Sequence, residues 1–275
     1  MPEIIGCLIG EFANPFYTPV IRGVEDLAHR SDHVVFSGES LHKPELEKHM
    51  IDCFHRINVK GVIIRSFAAD MSHLHSLEAA GIPVVMIGRN IPDFYSVNVD
   101  NEESGFLAGS YLLQLGHRQI GYASSGDHNN SPEQARRTGF RHALEKAGVS
   151  IKRHYKGESI MIEGGIQAAK QWLEDADHPT AVFCSTDMMA MGFIQHLARS
   201  GKCVPRDVSV LGHDDIPFAD SFLVGLTTIA FPKYTMGHIA AQIVFDRIGG
   251  LREKEPQEVS LEPELIERQS CARVN

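Results

Sequence analysis

Cationic side chains are in short supply. The 26 Lys and Arg stand against 35 Asp and Glu, a formal charge of −9. A protein that grips nucleic acid along its own surface carries a basic stripe that neutralises phosphates, so this chain is not expected to bind DNA by itself. Long hydrophobic runs are also missing. The apolar stretches are strand-sized, as at residues 84–87, far short of the roughly 20 residues that span a bilayer. The opening Met1-Pro2-Glu3-Ile4 carries no basic segment followed by an apolar one, so neither export nor membrane contact is expected. The cysteines are five, scattered and without a C-x-x-C pair: Cys7, Cys53, Cys184, Cys203 and Cys271. They read as reduced thiols of a cytoplasmic protein, not as a disulfide framework.

Signatures of catalysis are missing as well. There is no G-x-x-x-x-G-K-[ST] phosphate loop and no G-x-G-x-x-G after the first strand-like run, so no nucleotide cofactor is expected. A nucleophile elbow needs G-x-S-x-G, and Gly121-Tyr-Ala-Ser124-Ser125-Gly126 has the wrong spacing. Fifteen histidines invite a metal reading, yet the nearest pair, His73-x-His75, lacks the partners of a ligand set. The expectation is a chain with no cofactor, no metal and no enzymatic activity.

What is present is an ordinary globular composition. Hydrophobic residues make up 43% and charged residues 22% of 275, enough for a large core in one domain or two smaller ones. Short apolar runs at 4–9, 33–36, 61–64, 84–87, 119–123, 181–184 and 208–211 alternate with amphipathic stretches. In residues 16–28, Val20, Val24 and Leu27 recur at helical spacing, and Leu107, Tyr111 and Leu115 do so in 102–115. Residues 137–146 and 188–198 repeat the theme. Strands apolar throughout suggest parallel sheets buried on both faces, with right-handed crossovers.

A local duplication points to two lobes. Gly61-Val-Ile-Ile-Arg65 precedes a helix, then Gly81-Ile-Pro83 and a strand ending in Gly88-Arg89. Ala181-Val-Phe-Cys184 precedes a helix, then Gly201 to Pro205 and a strand ending in Gly212-His213-Asp214-Asp215. Three polar loops follow strands: Gly10 to Tyr17, Ser185-Thr186-Asp187 and His213-Asp214-Asp215. Pro15 suits a first helical position after an Asn14 cap, and Asp187 is expected to cap the helix it opens. In open α/β sheets ligands bind beyond the carboxyl ends of strands, so these loops are the candidate site.

The same segments resemble the ligand-sensing core of the LacI/GalR family of bacterial transcription regulators. The resemblance runs through Asn14-Pro-Phe-Tyr17 with Arg22-Gly-Val-Glu25, Gly81-Ile-Pro-Val-Val85 with Gly88-Arg89, and Val99-Asp-Asn101. It continues through Leu115-Gly-His-Arg-Gln-Ile-Gly121, Arg136-Arg-Thr-Gly-Phe140, Asp187-Met-Met-Ala190, Val204-Pro-Arg-Asp-Val-Ser-Val210 and Leu226-Thr-Thr-Ile229. It covers nearly the whole chain.

The resemblance implies two Rossmann-like lobes of the type I periplasmic-binding-protein kind, joined by several crossings. The boundaries would place residues 1–100 and about 230–250 in the first lobe, and residues 101–229 and about 251–275 in the second. It further implies a homodimer, a small-molecule effector between the lobes, and operator DNA bound through a helix-turn-helix headpiece that would precede this chain. The effector would be a sugar, a sugar acid or a nucleoside-like molecule.

Residue by residue, Phe16 and Tyr17 match the aromatic loop that stacks on effectors. Arg136 matches the arginine that reaches them, and Asp214 the acid that accepts from them, with Asp215 turned to the scaffold. Thr186 stands where many members carry Asn, His213 replaces the usual aromatic, and Phe231 replaces Gln. Arg65 and Arg89 follow first-lobe strands; facing the effector together with Arg136, they would favour an anion. A transport receptor of similar fold is the alternative, and an α/β enzyme the third reading.

Overall fold

The computed structural model describes residues 2–126, 131–252 and 255–274, with the Ser131 side chain left out. The chain divides into two units: Met1–Val99 with Pro232–Leu261, and Asp100–Phe231 with Glu262–Asn275. It therefore passes from one unit to the other three times.

In unit 1 the strands are β1 (Glu3–Ile9), β2 (His33–Glu39), β3 (Gly61–Ile64), β4 (Val84–Ile87), β5 (Tyr95–Val99) and β11 (Glu258–Leu261). They form one sheet in the order β11-β5-β4-β3-β1-β2, and every pairing is parallel. Its helices are α1 (Tyr17–Arg30), α2 (Pro44–Arg56), α3 (Ser72–Ala79) and α8 (Lys233–Ile248). The central strands are apolar because helices cover both faces: β3 and β4 are buried at every residue. β2 lies at the edge, so its run is not buried on both sides as expected. Val34 and Phe36 remain 40% and 48% exposed, which shows how sheet position overrides composition.

Unit 2 repeats the plan with β6 (Ile120–Ser124), β7 (Ile151–Lys156), β8 (Ala181–Cys184), β9 (Ser209–His213), β10 (Thr227–Ala230) and β12 (Glu264–Ile266). The order is β12-β10-β9-β8-β6-β7, parallel except that β12 runs against β10. Its helices are α4 (Asn101–Gln114), α5 (Ser131–Lys146), α6 (Ile162–Glu174) and α7 (Asp187–Arg199). This is the α/β, two-lobe parallel-sheet architecture the strand-helix alternation implies. The tail is corrected: residues 251–261 belong to unit 1 and not to the second lobe, because Glu258–Leu261 pairs in register with Ser96–Val99.

Close helix packing fixes the polar ends of the strands. At the α4–α5 crossing, a Cβ on Gly105 would lie 1.8 Å from the Arg136 carbonyl oxygen, and one on Gly139 1.8 Å from that of Glu102. Only glycine at both points lets the backbones meet. That contact sets the start of α4 against the Arg136 turn of α5. The five cysteines are free. Among the described residues, no helix is long and apolar enough to cross a membrane.

The C-terminal tail is held by His117, which is 3% exposed. Its Nδ1 lies 2.8 Å from Thr180 Oγ1 and its Nε2 3.1 Å from the Ala272 carbonyl. In the neutral ring the first nitrogen accepts and the second donates. Burial holds the imidazole below the usual histidine range, against the opposing pull of the Ala272 carbonyl. The folded chain therefore refuses a proton that the unfolded chain accepts. Its contribution is intact above the unfolded value of about 6.5 and lost as pH falls below it. Melting temperature measured from pH 7.5 down to 5.5 should fall, and the decline should be shallower in His117→Asn.

Candidate functional site

Two sets of residues gather at the carboxyl ends of strands, one on each unit. In unit 1, β1 ends at Gly10. The loop that follows is closed by Asn14, whose Oδ1 accepts the Phe16 N–H at 3.0 Å, and α1 begins at Tyr17. Asn14 thus caps the turn in which Pro15 sits, one step ahead of the regular helix. Phe16 stands edge-on to Tyr17 at 4.9 Å between ring centroids. Tyr17 is 5% exposed and packs with Cys7 and Ile9, so most of its ring is core and Phe16 is the more available of the pair.

Gly10 admits no side chain: a Cβ there would come within 2.6 Å of His42 Nε2 and 2.7 Å of Tyr17 Oη. His42 has φ +59° and Leu41 before it +49°, consecutive left-handed residues that cost strain. The His42 ring lies 4.3 Å from that of Phe67, over which the Arg65 guanidinium carbon sits at 4.7 Å. Arg89 Nη1 donates to the Ala68 carbonyl at 2.7 Å. Arg65 and Arg89, both candidates from sequence, are therefore tied to one loop. His42 and Phe67 were not among the candidates. Phe67 lies two residues beyond a singled-out arginine, whereas nothing in the sequence signals the two left-handed residues that turn His42 inward.

Beneath this loop lies Glu47, fully buried on the first turn of α2. Oε1 accepts from Ser66 Oγ at 2.6 Å and from His73 Nε2 at 2.9 Å, and Oε2 accepts the Phe67 N–H at 2.9 Å. Burial pushes this carboxyl up, but the bonds from His73, Ser66 and Phe67 outweigh it and hold it below the usual carboxylate range. His73 is thereby committed to a protein partner, and His75 pairs with Asp93 at 3.5 Å.

Unit 2 builds its set on α4, α5 and the turn after β9. Asp100 caps α4 by accepting the Glu103 N–H at 2.8 Å, and the next residue, Asn101, accepts from Arg136 Nη1 at 2.9 Å. Arg136 is 7% exposed, its Nε has no hydrogen-bond partner, and no carboxylate pairs with it among the described residues. Its Nη1 lies 3.5 Å from His213 Nδ1. That nitrogen lies closer to Asp214 Oδ1, at 2.9 Å, so it donates there. The His213 ring is 5.6 Å from that of Phe231, which is 6% exposed. Arg136, His213, Asp214 and Phe231 thus form one group, in which the residue that departs from the family pattern, His213, touches the other three.

The turn itself is strained and anchored. Asp214 has φ +114° and Asp215 +46°. Asp215 faces the scaffold, its Oδ1 accepting from Arg268 Nη2 at 2.8 Å. The other anchor is Asp187, which is not the helix cap expected of it. Thr186 is the cap: its Oγ1 accepts the Met189 N–H at 3.2 Å and gives its proton to the Ile160 carbonyl at 2.6 Å. The one proton of the Thr186 hydroxyl is therefore already committed. Asp187 points inward, wholly buried, accepting the Ile216 N–H at 2.9 Å and the Thr228 hydroxyl at 2.6 Å. Burial raises its carboxyl well above the usual range, and the charges of Asp214 and Asp215 add to the effect.

A sequence profile described as a periplasmic binding protein-like domain matches residues 110–271. A curated relative, the HTH-type transcriptional repressor PurR of Yersinia enterocolitica, is 34% identical over 273 residues, covering 98% of this chain and 80% of its own. The chain belongs to the LacI family of transcriptional regulators. Among solved structures, a LacI family regulator from Enterococcus faecium with bound ribose superposes at a TM-score of 0.89 with 28% identity, covering 99% of this chain and all of that one. The transcriptional regulator CelR in complex with cellobiose gives 0.87 and 27%, covering 98% of this chain and 86% of that one. This LacI-family chain is thus similar to a repressor and to two regulators with sugars bound.

Removing Asp187 would leave the Ile216 N–H and the Thr228 hydroxyl buried without an acceptor. Asp187→Ala should lower unfolding free energy by about 2–4 kcal/mol, read from the urea midpoint.

Proposed function

We propose that this chain is the effector-sensing core of a DNA-binding transcriptional repressor, and that its effector is a sugar or sugar derivative. The observation that carries the reading is Arg136, a buried guanidinium with which no carboxylate pairs among the described residues, beside His213, which in turn bonds the Asp214 carboxylate. Burying such a group unpaired is expensive unless something else completes its bonds. Vicinal hydroxyls suit both neighbours: their oxygens accept from Arg136 and their protons go to Asp214. The apolar face of a sugar ring suits Phe231. The ribose- and cellobiose-bound relatives support this choice. A flat heterocyclic base is the second reading, favoured by the adjoining His213 and Phe231 rings.

The chain acts by binding and not by catalysis. Among the described residues of unit 1, Glu47 is the carboxylate that meets both a serine and a histidine, and it receives both on the same oxygen. The Ser66 hydroxyl is spent on the acid and not on the imidazole, so no activated nucleophile results. Effector binding shifts a conformational equilibrium by its difference in affinity between two states. Operator contact belongs to a helix-turn-helix segment outside the matched region, and the regulator works in the cytoplasm as a homodimer.

A thermal-shift panel of neutral sugars, sugar acids, sugar phosphates, nucleosides and purine bases tests the effector. At 100 times its dissociation constant a ligand adds about 2.7 kcal/mol, a rise of roughly 5–10 °C for a chain of this size. The expected result is a sugar-class hit that is lost in Asp214→Ala. A hit confined to purine bases would overturn the sugar assignment, and one unchanged in the variant would remove Asp214 from the site. Sedimentation at micromolar concentration should give twice the chain mass; a monomer there would count against the dimer.

A further inference from the structure

The Arg65–Phe67–Arg89 group has no rigid element of its own. Residues 65–71 form the loop between β3 and α3, and loops of this kind are where side chains wander unless something pins them. Here three consecutive residues are pinned through one carboxylate. Glu47 takes the Ser66 hydroxyl and the Phe67 N–H, and the Ser66 oxygen in turn accepts the Ala68 N–H at 3.3 Å. His73, from the first turn of α3, bonds the same Oε1 that takes the Ser66 hydroxyl. The recognition side chains hang from these pinned points. Phe67 carries Arg65 over its ring and has the His42 ring against it, and the Ala68 carbonyl receives Arg89.

We propose that Glu47 is a positioning residue for effector recognition: its buried carboxylate fixes the 66–68 turn, and through it the placement of Arg65, Phe67, His42 and Arg89. Glu47 itself is wholly buried and need not touch an effector. Charged hydrogen bonds inside a low-dielectric site are directional and strong, which is what holding a loop in one arrangement requires. The functional meaning rests on the reading of Arg65 and Arg89 as recognition residues, whereas the positioning is measurable with no effector present.

The test is amide hydrogen exchange by mass spectrometry, together with proton NMR of the His42 ring, whose signals carry the ring-current shift of Phe67 and are assigned from His42→Gln. Glu47→Gln keeps the volume but leaves one acceptor oxygen where there were two. Exchange across residues 66–69 should rise about tenfold to a hundredfold, the loss of one charge-assisted bond. His42 should move toward its unshifted position, while the amides of β1, β3 and β4 keep their protection. Ser66→Ala should give the same pattern more mildly, and it decides the matter if Glu47→Gln does not fold. A folded variant with unchanged loop exchange and an unchanged His42 signal would overturn the proposal. The recognition reading fails differently: Arg89→Ala would then take up D-ribose, D-ribose 5-phosphate or guanine as the unaltered chain does, with the loop measurements unaffected.

Discussion

A parallel strand covered by helices on both faces has nowhere along its length to place a polar side chain. In this chain β3, β4 and β8 are buried at every position. Much of the polar chemistry is therefore displaced to the ends of the strands and the residues just past them, where the backbone is irregular and its own polar groups need partners, and to helix residues such as Arg136 that meet them there. The same constraint creates the site and its difficulty: loops must be polar enough to bind, and rigid enough to bind one thing.

Both units meet that difficulty with a buried carboxylate near the start of a helix. Glu47 on α2 takes a serine hydroxyl and a backbone N–H from the loop after β3. Asp187 on α7 takes a backbone N–H from the loop after β9, that of Ile216, and the hydroxyl of Thr228 on β10. The surroundings push the two acids in opposite directions. Glu47 has His73 as a partner, and its bonds outweigh burial. Asp187 has the acids Asp214 and Asp215 nearby, and burial dominates. Similar bonding, one acid favoured as the anion and the other not, follows from what stands beside each.

How much of this was legible in the sequence depends on where each residue sits. The runs at 61–64, 84–87 and 181–184 match their strands residue for residue, because these three inner strands are continuous apolar stretches. β7, reading Ile-Lys-Arg-His-Tyr-Lys, was missed since it lies at a sheet edge and only Tyr155 is buried. β11 and β12 are short and largely exposed, and only pairing, which no local pattern encodes, assigns Glu258–Leu261 to unit 1. The grouping of Arg136 with Asp214 and Phe231 joins residues from three separate segments. Family resemblance could nominate each of them, but periodicity could not bring them together. Asp187 was misread because a capping residue and a buried anchor look alike in sequence; Thr186 before it met the need for a cap, which freed the acid to turn inward.

The two guanidinium groups bear on selectivity in different ways. Arg89 already gives Nη1 to the Ala68 carbonyl, a neutral acceptor, and Arg136 gives Nη1 to the neutral Asn101 amide oxygen. Neither has its charge cancelled by a carboxylate among the described residues, although the sequence has more acids than bases. A neutral acceptor orients a guanidinium without neutralising it, so its remaining donors stay available for an incoming group. Beside Arg136 stands His213, whose proton is spent on Asp214, so that acid already shares its charge. The unit 2 group thus presents a full positive charge next to a moderated negative one. On the proposed reading of this group as the effector site, ligand oxygens that accept gain more there than ligand amines that donate, which favours polyhydroxylated and acidic molecules over cationic ones.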